Sequence, residues 1–98
     1  MDKLTKQEQE LIKRINEVLF YVWDPIGVCN EPAARDEYDS YVPQVFSILN
    51  KSNPEDNLKQ YLFDVAKKEM ASEVSEDNLI EVVELIIGWK EILLNKDF

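Results

Sequence analysis

Residues 22–43, VWDPIGVCNEPAARDEYDSYVP, decide how the rest of the chain is read. They hold three of the four prolines, one of the two glycines and the only cysteine, while the sequence on either side has helical periodicity. Pro25 disfavours helical geometry at the residue before it. Asp24-Pro25-Ile26-Gly27 fits a type I turn, with Asp accepting at the first position, proline preset at the second and glycine at the fourth. A helix arriving from the N-terminal side therefore stops near Trp23. Asn30 is placed to cap a second helix, with Glu31 and Pro32 in a first turn where a missing amide costs little and negative charge suits the dipole.

That second helix is expected over residues 31–50, kinked or broken near Pro43. Inside a helix this proline would remove one hydrogen bond and crowd the carbonyl four residues back, at about 3 kcal/mol. Either the helix kinks near Asp39 and Ser40, or it breaks and Pro43 opens a new turn. Its buried side reads as Tyr38, Tyr41 and Val42, then Val45, Phe46 and Leu49.

Working outward, Thr5-Lys6-Gln7-Glu8 is a capping box that starts a first helix. Leu11, Ile15, Val18, Leu19 and Val22 recur at three- and four-residue steps, with Ile12 and Phe20 widening the stripe. On the other side, Asn53-Pro54-Glu55-Asp56 opens a helix with the stripe Leu58, Leu62, Val65, Ala66 and Met70. Ser75-Glu76-Asp77 opens the last and most hydrophobic helix, carried by Leu79, Val82, Val83, Ile86, Ile87, Trp89, Ile92 and Leu93. Gly88 within it costs about 1 kcal/mol relative to alanine, so close packing against a neighbour is expected to compensate. Four main helices with short connections predict an all-α single domain over residues 1–98, a bundle or compact array.

The formal net charge is −9. Residues 1–23 carry four acids and four bases, 24–49 five acids and one base, and 50–98 eleven acids and six bases, so the excess lies outside the first helix. Residues 69–89 contain six acids and no base. Such a field repels phosphate backbones, so direct binding to nucleic acid is not expected. It suits a basic protein partner, although solubility alone also accounts for it.

The single cysteine, Cys29, excludes an internal disulfide and is compatible with a reducing compartment. The chain has no histidine, which removes the common base of serine and cysteine nucleophiles and the usual transition-metal ligand. Carboxylates remain: Asp36, Glu37 and Asp39 lie close in sequence, and Glu69/Glu73 and Glu81/Glu84 have helical spacing. Such pairs are common on solvated faces, and no glycine-rich phosphate loop accompanies them. The expectation is a non-enzyme with no cofactor and no metal. The polar N-terminus lacks an apolar signal core and no window approaches the ~18 apolar residues of a membrane span, so a cytoplasmic protein without a membrane partner is expected.

Trp23-Asp24-Pro25-Ile26-Gly27, followed by Asp36-Glu37-Tyr38 and Tyr41-Val42-Pro43, resembles a family of small helical bacterial proteins with a W-D-P-[IF]-G turn and a D-E-Y-x-x-Y helix. The likeness is close over this segment, and the flanking helices agree only in pattern. Short acidic helical proteins of this kind also resemble immunity proteins encoded beside polymorphic or contact-dependent growth-inhibition toxins. That resemblance implies binding and neutralising a cognate toxin, often a nuclease, inside the producing cell. A nuclease presents a basic groove, and an acidic helical surface can occupy or adjoin it.

The residues expected at such an interface are Asp36, Glu37, Tyr38 and Asp39, with Tyr41 in the same segment; Glu73, Glu76, Asp77 and Glu81 form a second acidic face. Tyr38, flanked by acids, either bonds within the fold or stands at the interface. The alternative is a helical adaptor or regulatory subunit that binds a partner helix or dimerises through an apolar groove containing Ile87, Trp89 and Leu94.

Overall fold

The computed structural model describes residues 3–69 and 73–94. The capping box forms as its sequence dictates: Thr5 Oγ1 accepts from the Glu8 amide at 3.0 Å, and Glu8 Oε1 accepts from the Thr5 amide at 2.9 Å. Helix α1 runs over Lys6–Val18 and continues as a π-helical turn, Leu19–Trp23, closed by the Asp24 amide donating to the Leu19 carbonyl five residues back. The wider turn delays the inward position by one residue. Leu19, Phe20 and Trp23 are therefore buried, Val22 is only half-buried, and Tyr21 points outward. Asp24 then ends the helix in the left-handed region at φ 32°, a conformation that Asp tolerates better than most residues.

The second helix is broken, as Pro43 suggests, but the break lies upstream of the proline. Pro32–Ala34 is one 3₁₀ turn, residues 35–38 form a bend, and Asp39–Tyr41 is a second 3₁₀ turn. Regular α-helix, α2, is confined to Val42–Leu49, with Pro43 in its first turn, where the absent amide breaks no helical bond. Asn30 consequently caps no α-helix. The reason is tertiary: Tyr38, at φ −104° and ψ 8°, leaves helical geometry to reach inward.

Helix α3, Pro54–Asp64, starts after Asn53, which adopts φ 55° and makes no side-chain cap; a π turn, Val65–Glu69, extends it. Met70, expected on its apolar stripe, lies outside the described residues. Helix α4 spans Glu76–Leu94, and Ser75 Oγ accepts from the Asn78 amide at 3.2 Å to cap it.

Each helix packs on the next in sequence, and α4 closes the ring against α1. The core at its centre includes Leu11, Ile15, Leu19, Tyr38, Val45, Leu49, Leu58, Leu62, Leu79, Val82 and Ile86, and among the described residues no charged side chain is buried. Burying each large aliphatic side chain contributes about 1.5–3 kcal/mol relative to exposure. Trp89 is half-buried, with the Arg14 guanidinium 5.2 Å from its ring centroid and Arg14 itself held by Glu10 and Glu17. Gly88 differs from expectation. A Cβ there would meet nothing within 4 Å, so no close-packed neighbour accounts for this glycine.

Candidate protein-binding surface

The motif residues converge on one carboxylate. Asp24 Oδ1 accepts from the Val28 amide at 2.8 Å and from the Tyr38 hydroxyl at 2.8 Å, and Oδ2 accepts from the Cys29 amide at 3.0 Å. The Gly27 amide returns to the Asp24 carbonyl at 3.2 Å, which closes the expected turn, with Gly27 itself at φ 70°. Burial works to raise the Asp24 pKa, but the Val28 amide, the Tyr38 hydroxyl and the Cys29 thiol and amide outweigh it and hold the carboxyl below its ordinary value. The same carboxylate pushes the Cys29 thiol up, with burial adding to it, the reverse of what a thiolate nucleophile requires.

Tyr38 is fully buried, so it corrects the expectation of an exposed interface residue. Its ring packs on Trp23 at 5.4 Å between centroids, and its hydroxyl accepts from the Ile26 amide at 3.3 Å while donating to Asp24. Burial, then the Asp24 hydrogen bond, raises its pKa strongly. Tyr41 is half-buried: its ring meets Trp23 edge-on at 6.2 Å and its hydroxyl donates to Glu69 Oε1 at 3.3 Å. The two tyrosines fasten the connection to the core, and only the acids between them face water.

Asp36, Glu37 and Asp39 are exposed. Asp39 accepts from the Asn16 side-chain amide, whose oxygen in turn accepts from Arg35. The Arg35 guanidinium lies 4.8 Å from the Phe20 ring centroid and 5.4 Å from that of Tyr21. The only base of residues 24–49 is thus turned onto α1 and its π turn, and Asp36 and Glu37 make no ion pair among the described residues.

Glu73, Glu76, Asp77 and Glu81 are exposed as well. Glu76 pairs with Lys59, while Asp77 and Glu81 have no ion-pair partner among the described residues. Glu73 lines a cleft of about 340 Å³ together with Tyr21, Trp23, Asp24, Pro25 and Asn78, and Asn78 Nδ2 bonds the Val22 carbonyl at 2.7 Å across it. Tyr21, 58% exposed, borders this cleft on one side and the Arg35 segment on the other. It therefore stands between the two acidic sets, a position hidden in the sequence because the π turn alone rotates it outward.

The apolar groove expected from Ile87, Trp89 and Leu94 is displaced: these three pack half-buried against the core. Leu85 and Ile92 are the exposed apolar residues toward that end of α4. Among the described residues no group of three or more Cys, Asp or Glu side chains could hold a metal ion, and no helix is long and apolar enough to cross a membrane. No family model, curated protein or solved structure matches the chain.

Proposed function

We propose that the protein is a bacterial immunity protein that binds a cognate toxin domain, with a basic nuclease as its chemical type, in the cytoplasm of the producing cell. The observation that carries this reading is the set of exposed acids, Asp36, Glu37, Asp77 and Glu81, that no Lys or Arg of the described residues neutralises. Their field is available to a partner, where complementary potentials speed encounter and reject wrong partners. Charge alone does not give tight neutralisation, which needs a roughly 1,600 Å² interface and a few desolvated anchors. Tyr21 fits the role of anchor. The Phe20 ring edge, 4.9 Å away, and the Arg35 guanidinium restrain it before binding, so little side-chain entropy is lost on contact.

The test is co-expression with the toxin domain encoded next to this chain, scored by co-purification and by rescue of growth. Rescue that weakens with Tyr21→Ala and with reversal of the acids supports the reading. A toxin domain that neither co-purifies nor is neutralised, or a neighbouring gene that encodes no toxin, sinks it. A second reading, a helical adaptor that docks a partner helix, draws support from the exposed Leu85 and Ile92 on α4.

A further inference from the structure

The outer face of α4 carries an arrangement that neither the core nor the acidic sets use. Its inward residues are Leu79, Val82, Val83 and Ile86. Leu85, Gly88, Trp89 and Ile92 follow one another at the i, i+3, i+4, i+7 spacing that surrounds a hole for a side chain of another helix. Leu85 is 38% and Ile92 62% exposed, and together with Glu84, Gly88 and Trp89 they line a notch of about 270 Å³. Gly88 makes the floor: a Cβ there would meet nothing within 4 Å. Trp89 is a firm wall, since the Arg14 guanidinium stacks on it and is itself tied to Glu10 and Glu17.

The charge around the notch identifies the occupant. Glu84 lies on its wall, Glu81 and Glu91 are exposed on the same helix, and none of the three makes an ion pair among the described residues. A second copy of this chain would bring an equal net charge of −9 and a matching acidic rim against the first. A basic helix meets the rim with opposite charge. We infer that the notch of Leu85, Gly88, Trp89 and Ile92 seats an amphipathic basic helix of a protein partner. One large apolar side chain enters over Gly88, and flanking Lys or Arg residues meet Glu81, Glu84 and Glu91. The inference goes beyond the immunity reading, because it holds for a toxin or for any other carrier of such a helix.

The probe is a synthetic amphipathic peptide of leucine and lysine about four turns long, titrated into the full chain at physiological salt and followed by amide chemical shifts. The comparison peptides are its scrambled sequence and the same helix with glutamate for lysine. The expected result is shift changes confined to residues 81–92, with affinity about tenfold above both comparison peptides. Gly88→Leu fills the notch and Ile92→Ser lowers its rim; each lowers affinity about tenfold, while circular dichroism and melting temperature show an intact fold. Equal binding of the scrambled peptide, shifts elsewhere, unchanged affinity in both variants, or self-association through this face in sedimentation overturns the inference. The growth-rescue assay plays no part in these readouts, so failure here and failure of the immunity reading are separate results.

Discussion

The Tyr38 hydroxyl donates to Asp24 Oδ1 at 2.8 Å across fourteen residues of chain. This bond joins the Trp-Asp-Pro turn to the Asp-Glu-Tyr segment, and the amides of Val28 and Cys29 converge on the same carboxylate. The residues that give the segment its recognisable pattern are thereby divided. Trp23, Asp24, Tyr38 and Tyr41 hold the connection in place, and Asp36 and Glu37 are presented by it.

Tyr38→Phe leaves the buried ring in place but removes the donor to Asp24 and the acceptor of the Ile26 amide. Unfolding free energy is expected to fall by about 1–3 kcal/mol. Urea titration checks it, and a change of only a few tenths shows that the hydroxyl does not hold the fold.

Asp24 also sets the acid limb of stability. Its folded pKa lies below the ordinary 3.8, so its contribution is complete above that value and is lost as pH falls through the lowered one. Tyr38 acts at the other end: its raised pKa gives a contribution complete below the ordinary 10.0 and lost as pH rises through the folded value. Asp24→Asn should flatten the acid limb and Tyr38→Phe the alkaline limb in denaturation series across pH. Unaltered limbs in these variants contradict both assignments.

The Asp24 carboxylate beside Cys29 holds the thiol protonated. Alkylation by iodoacetamide at mildly alkaline pH should be slower than for a free cysteine, and Asp24→Asn should accelerate it. Rate measurement by mass spectrometry decides, with equal rates in the two proteins as the adverse result.

Gly88→Ala should stabilise the protein by about 0.5–1 kcal/mol, the helix-propensity difference, because the added methyl enters open space. A loss of stability in thermal or urea melts would show that something occupies that space.

Reversing Asp36 and Glu37 together to lysine, or Asp77 and Glu81 together, should change stability within about 0.5 kcal/mol per site. The set at the interface should weaken toxin binding and reduce its dependence on salt. Growth rescue and salt-dependent affinity, measured for both double variants, assign the face. Indifference to both reversals removes acidic recognition as the mechanism.

Local chemistry is legible in this sequence and distant chemistry is not. Thr5, Ser75, Pro25 and Pro54 act on the backbone within a few residues, and the four helices begin or end beside them. The expected helix over residues 31–50 shrinks to Val42–Leu49 because Tyr38 bonds to Asp24 and Arg35 stacks on Phe20 and Tyr21, contacts made across the fold. For the candidate surface, the exposure of Asp36, Glu37, Asp77 and Glu81 follows from their charge. That of Tyr21 does not, because an uninterrupted 3.6-residue period gives no sign of the π turn, and the inward course of Tyr38 depends on a partner fourteen positions away.

The π turn at Leu19–Trp23 makes the number of residues as important as their identity. Deleting one residue there would restore an ordinary helix and rotate all that follows by about 100°, swinging Asp24 away from Tyr38 and Trp23 out of the core. Substitutions along this turn are graded in effect, whereas a change of length is all or none. Among chains that share this architecture, the count from Leu19 to Asp24 should be the quantity that does not vary.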